Sequence, residues 1–166
     1  MKNILKILIL ILIVSCETKY NYIDSGVANG RFTGTIYEYL QSSSYDWDST
    51  LLMVERAGLE RLFQGKEEGY EKITFFGPTN LSILRWMIEQ GYDSIEDIPI
   101  DVCRELILRH VVGGIHWRDD IPDVGAVILN LVSLDTETLI SVASTNIETD
   151  NGVVHSLNYS YTLGQL

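Results

Sequence analysis

Three histidines, His110, His116 and His155, are the side chains of this sequence best suited to acid–base or metal chemistry near neutral pH. His110 lies in "LILRHVVGG", residues 106–114, between a helical apolar run and a valine pair stopped by glycines. It continues a stripe of Cys103, Leu106 and Ile107 at +4 from Leu106 and +3 from Ile107, so on a helix its ring points into the core. A buried imidazole needs partners for its nitrogens, and Thr79, Asn80 and the Asn151-Gly152 turn are the candidate neighbours. Zinc sites draw histidines from one helix at i, i+4 or from adjacent strands. His110 and His116 are separated by a double glycine, with no acid at ligand spacing, so no metal is expected. There is no G-x-S-x-G elbow, and the serines of "QSSSYD" have no basic partner within reach in the sequence. The carboxylates of "EDIP" and "RDDIPD" read as a solvated acidic face, since a glycosidase pair must flank a deep cleft. The histidines are therefore expected to hold structure, with no catalytic residue and no cofactor.

The elements that must position them run helices first, strands later. "TGTIYEYLQ" forms a short helix with Ile36, Tyr37 and Leu40 on one side. "DWDSTLLMVERAGLERLF" forms a second, capped by Asp48 or Ser49 and stopped or kinked at Gly58, with Tyr45 and Trp47 in a loop before it. "KITFFGPTN" is a β-run halted by Gly77-Pro78. "NLSILRWMIEQG" is a helix capped by Thr79 or Asn80, striped by Leu81, Leu84 and Ile88, and stopped at Gly91. A further helix carries the His110 stripe, with Pro99 near its first turn. "AVILNLVSL", "TLISVAS" and "GVVHSL" are β-type, and "NYSYTLG" is expected to finish a strand with one wet face. This order favours an α+β domain over a βαβ repeat.

The chain has 166 residues, with 12 Lys plus Arg against 23 Asp plus Glu and a formal net charge of −11. Such a charge, with no basic cluster, repels phosphate backbones and excludes nucleic acid as an expected partner. Residues 1–16, "MKNILKILILILIVSC", open with a lysine n-region and an unbroken apolar stretch. As a helix, Ile4 to Val14 spans only about 16 Å against a hydrocarbon core of roughly 30 Å, too short for a permanent span. The ending "IVSC" resembles a bacterial lipobox, which implies cleavage after Ser15 and a lipid anchor on Cys16. Two or more acyl chains make anchoring stable. The expected organisation is a signal peptide over 1–15, an anchor and tether over 16–32, and one domain over 33–166. With Cys16 acylated, Cys103 has no disulfide partner and reads as a buried, inert thiol.

Three segments in order carry a resemblance to the fasciclin (FAS1) family: "ITFFGPTNLSIL", "LILRHVVGG" and "TDNGVVHSLN", with "AGLERLF" before the first. In the family these correspond to a strand followed by Ala-Pro-Thr-Asn, a Tyr-His helix end, and an Asn-Gly turn into a strand with a second histidine. The resemblance implies an α+β fold with a β-wedge packed by several helices. It implies adhesion or extracellular recognition, without cofactor or general catalytic activity. Its motif positions here are Pro78, Thr79, Asn80, His110, Asn151, Gly152 and His155. Gly77 stands where the family has Ala, a mild change, and Arg109 where it has Tyr, so no role of that tyrosine transfers. The stretch between His110 and Asn151 is short for the family, so wedge strands there are expected to be abbreviated. Trp47, Arg109 and Trp117 are the candidates for surface recognition. The expectation is a lipid-anchored protein of the bacterial cell envelope, on the outer membrane, that acts by adhesion or protein recognition. The alternative is an accessory glycan-binding lipoprotein of an outer-membrane uptake system.

Overall fold

The computed structural model describes residues 30–120, 142–158 and 160–164. Cys16, the expected signal peptide, nearly all of the expected tether and the "AVILNLVSL" segment lie outside the described residues. The architecture is α+β, as expected: among the described residues, helices pack on one face of a four-stranded mixed sheet.

The first helix, α1 (Ile36–Ser42), opens with a capping box. The Thr35 hydroxyl accepts from the Glu38 amide at 3.3 Å, and the Glu38 carboxylate accepts from the Thr35 amide at 2.7 Å. Helix α2 (Ser44–Arg56) starts earlier than Asp48 or Ser49 would have placed it, after Ser43, which gives no side-chain cap. Tyr45 and Trp47 therefore lie within a helix rather than in a loop. A short α3 (Glu60–Phe63) follows Gly58, whose φ of +64° turns the chain, and leads to β1 (Ile73–Gly77), buried along its whole length.

Helix α4 (Asn80–Gln90) ends at Gly91 in the left-handed conformation, as its sequence predicts. Its inward face is not the expected one. Ser82, Ile83 and Met87 are buried, whereas Leu81, Leu84 and Ile88 are 57%, 51% and 70% exposed. The helix carries two apolar stripes, and packing selects the one whose small Ser82 lets it sit close to its neighbours. Helix α5 (Ile100–Arg109) does bury the predicted stripe of Cys103, Leu106 and Ile107, and Pro99 stands at its N-cap. It runs into β2 (Val111–Gly113).

The remaining strands are β3 (Val142–Thr149) and β4 (Gly152–Leu157), and the sheet order is β2-β1-β4-β3. β1 pairs antiparallel with β2 and parallel with β4, from Ile73↔Gly152 to Gly77↔Ser156. β3 pairs antiparallel with β4 with register shifts between Val142 and Ile147, where Asn146 adopts a φ of +58°. Arg31 bridges to Glu148, and the Phe32 amide donates to the Glu148 carbonyl, so the end of the expected tether joins the sheet edge. After β4, Tyr161 closes a turn onto the Asn158 carbonyl and is buried, so the described part of "NYSYTLG" is a turn and not the expected strand end.

One core cluster joins Ile73, Phe75 and Val154 of the sheet to helix residues such as Leu40, Val54, Phe63, Ile83 and Ile107. Phe63 meets Phe75 edge to face at 4.8 Å. A smaller cluster unites Phe76, Val112, Leu157 and Tyr161. At the end of β1, a Cβ on Gly77 would run into Trp47 Cζ3 and come within 2.7 Å of its Cη2, besides standing 3.1 Å from Phe75 Cε1. The glycine is thus not the mild departure its sequence position implies: the space an alanine methyl needs is filled by the indole. Gly77→Ala should cost about 1–3 kcal/mol by overpacking. Urea unfolding should show a lower midpoint at unchanged m, and Trp47→Phe in the same chain should recover part of the loss.

Candidate functional site

The fold places His110 and His155 on either side of Phe76 in β1, and each of the three imidazoles has a backbone group among its partners. His110 caps α5 and is fully buried. Its Nδ1 lies 2.7 Å from the Leu106 carbonyl, which can only accept, so Nδ1 carries the proton. Nε2 is then the acceptor for the Tyr161 hydroxyl at 2.7 Å. The partners are therefore Leu106 and Tyr161, not Thr79, Asn80 or the Asn151-Gly152 turn. Burial, with the Arg109 charge acting in the same direction, holds the imidazole pKa down to about 4 and keeps it neutral.

His155 on β4 is handled the same way from the opposite tautomer. Its Nε2–H donates to the His116 carbonyl at 2.8 Å, and its Nδ1 accepts from the Asn146 amide at 3.3 Å. The ring stacks on Phe76 with centroids 5.1 Å apart, and burial lowers its pKa. The left-handed Asn146 also accepts from the Arg118 amide at 2.8 Å, so His155 and Asn146 together tie residues 116–118 to the bulged strand. His116 turns its ring back to the Gly113 carbonyl at 3.0 Å. The three imidazoles thus have separate partners, and among the described residues no group of three or more His, Cys, Asp or Glu could hold a metal ion.

The asparagines of the outer motifs act as backbone surrogates. Asn80 accepts from the Ser49 amide at 2.8 Å and donates to the carbonyls of Ser44 and Tyr45 at 3.0 and 2.8 Å, stitching the start of α4 to that of α2. It does not cap its own helix. Thr79 is at the N-cap but makes no side-chain capping bond; its hydroxyl lies 3.4 Å from that of Ser82. The Pro78 carbonyl accepts from the buried Thr50 hydroxyl. Asn151 accepts from the Ile36 amide at 2.8 Å and donates to the Phe63 carbonyl at 3.0 Å, joining the start of α1 to the end of α3. Gly152 follows it where β4 meets β1.

The three surface candidates separate. Trp47 is only 2% exposed and packs against Gly77, so it is core and not a recognition residue. Arg109 is paired with Glu105 one turn earlier on α5. Trp117 is 37% exposed, and its amide donates to the Asp120 carboxylate. A groove of about 370 Å³ lies elsewhere, walled by Leu59, Leu62, Leu108 and Val111, with Tyr70, Arg104 and Glu67 at its rim. Sequence reasoning missed it because its walls come from α3, α5, β2 and the loop before β1, which periodicity treats separately. It also missed Tyr161, whose partner lies 51 positions away. No protein-family model and no curated protein matches this chain.

Two outcomes follow from the His110 geometry. Tyr161→Phe should leave Nε2 buried without a partner and cost about 1–3 kcal/mol, whereas His110→Phe with Tyr161→Phe should cost less than the two single changes added together. The second concerns pH. An unfolded histidine takes up its proton near pH 6.5, but folded His110 does not until about pH 4. Its contribution is therefore full above pH 6.5 and is lost as pH falls towards 4, on the order of 3 kcal/mol in all, with His155 acting in the same direction. Urea midpoints measured from pH 7.5 to 4.5 should fall more steeply for the unmodified protein than for His110→Phe.

Proposed function

We propose that this chain is a FAS1-like lipoprotein of the bacterial cell envelope, held by Cys16, that works by non-catalytic protein recognition and adhesion. One observation carries the reading: the motif side chains of His110, His155, Asn80 and Asn151 bond to backbone groups or, at His110, to a buried tyrosine, so they serve as joints of a scaffold. His110, His155, Asn80 and Asn151 each have hydrogen bonds at both polar ends. The arrangement of the motifs also supports it. The first ends β1, the second leads into β2, the third forms β4, and these are three neighbouring strands. The surface left for a ligand is the groove, where apolar walls and a half-exposed Tyr70 sit beside one cation and one carboxylate. Glycan capture rests on exposed tryptophans and tyrosines; Trp47 is buried, whereas Trp117, Tyr45 and Tyr70 are exposed.

The test is binding of the full chain to a panel of purified envelope and host-matrix proteins. Tyr70→Ala with Leu108→Asp, both at exposed groove positions, should abolish saturable binding while leaving the melting temperature nearly unchanged. Absence of saturable binding across the panel, or binding untouched by the double change, would count against the reading. Enhancement or quenching of tryptophan fluorescence by envelope polysaccharides would favour glycan capture instead.

A further inference from the structure

Among the described residues, the outward stripe of α4 belongs to neither core cluster. Leu81, Leu84 and Ile88 stand at i, i+3 and i+7, forming one line along the helix, and each is more than half exposed. Tyr45, 91% exposed, lies at the same end as Leu81, because the Asn80 amide holds the Tyr45 carbonyl at 2.8 Å. The sequence around the stripe carries no acid. Residues 72–88 contain no Asp or Glu, in a chain carrying 23 of them. The single cation within α4, Arg85, donates to the Ser160 carbonyl beside the Thr162 hydroxyl. Acids return only at the margins, with Glu89 beyond Ile88 and Asp46 and Asp48 flanking Tyr45 and Trp47 on α2.

We infer that this face, Tyr45 with Leu81, Leu84 and Ile88, is where the domain rests on the lipid bilayer that carries its anchor. The inference builds on the proposed lipidation of Cys16. Between Cys16 and Gly30, the first described residue, the chain is short enough that its reach is bounded at about 50 Å even fully extended, whatever its conformation. A domain of this size has a radius of gyration of roughly 14 Å, so any face can be turned to the membrane and the choice falls to surface chemistry. An acidic domain meets anionic headgroups at least cost where a surface helix carries no acid, as α4 does from Leu81 to Ile88. Aliphatic side chains then enter the acyl boundary, with an amphipathic tyrosine at the headgroup level.

A second copy of the chain is a poorer occupant. A stable protein interface draws on roughly 20–30 residues a side, and this stripe offers a handful. A contact too weak to hold a free protein becomes effective once a tether raises its local concentration, and an acylated cysteine supplies that. The groove lined by Leu108 and Tyr70 is built from other elements and stays available to a ligand.

The experiment uses the full-length, acylated protein reconstituted into phosphatidylethanolamine–phosphatidylglycerol vesicles. With Cys16 acylated and Cys103 buried, a cysteine introduced as Leu84→Cys takes an environment-sensitive fluorophore selectively. Asp101→Cys, exposed on α5, serves as the reference site. The expected result is a blue-shifted emission from the Leu84 site, quenched by brominated lipid severalfold more than the Asp101 site. Leu81→Gln with Ile88→Gln should reverse that shift. An acyl group on Cys16 by mass spectrometry, with no difference between the two sites, would overturn this inference alone. An unmodified Cys16 would overturn the proposed anchor and the inference with it. A shift that follows protein concentration without vesicles would identify a second copy as the occupant and likewise overturn it.

Discussion

The close approach of β4 to β1 at Gly152 is the constraint on which the rest of the structure depends. These two strands are parallel, so everything from Pro78 to Asn151 is the connection between them. A Cβ at 152 would collide with the Ile73 carbonyl oxygen, stand 2.9 Å from the carbonyl carbon and touch Ile36 Cδ1 at 3.1 Å. Only glycine lets the strands pair in this register. The same approach brings the neighbouring Asn151 amide within reach of Ile36 and Phe63, so the first and third helices are located by the residue beside the contact.

Asn151 illustrates how the molecule resolves a general problem. Element ends leave backbone amides and carbonyls without partners, and such a group left buried costs about 1–3 kcal/mol. Here side chains far away in sequence serve them, with Asn151 at the start of α1 and the end of α3, Asn80 at the start of α2 and Thr50 at Pro78, while His110 serves the end of its own helix α5. Among the described residues no buried side-chain nitrogen or oxygen lacks a partner. A side chain used in this way is held by interactions on both sides, so its lone pairs and protons are committed. Neutral His110 and His155 are the clearest cases, because burial that depresses a pKa also makes the imidazole a poor proton acceptor in the folded state.

Much of this was legible in the sequence where one element sufficed to decide it. The α5 stripe ending in His110, the β1 run, the Gly91 stop and the burial of Cys103 all depend on local periodicity or backbone conformation, and each is found as read. What was not legible depends on partners. Thr79 and Asn80 look like equivalent caps, yet Asn80 turns to α2 because that helix begins beside it. Trp47 reads as a loop aromatic because nothing local shows that Gly77, thirty positions later, leaves room for an indole. Tyr161 sits in an alternating polar-aromatic stretch that mimics a strand, and only the fold shows it meeting His110.

Helix α4 is the case in which local information was sufficient to form the helix and insufficient to orient it. Both of its apolar stripes satisfy the helical period, and a hydrophobic pattern alone cannot choose between them. The choice is made by packing: Ser82 and Ile83 are fully buried, and Leu81 and Leu84 are turned outwards. A helix with one stripe would have had no such remainder. Sequences keep local and global preferences in agreement except where another requirement intervenes, so an apolar line that the core does not use points to a constraint outside the core. The same reasoning applies in reverse to Gly77 and Trp47, where a departure from the resembled motif is fully accounted for inside the fold and calls for no function. Distinguishing the two kinds of departure needs the burial of each side chain, because in the sequence an absorbed substitution and an unabsorbed stripe look alike.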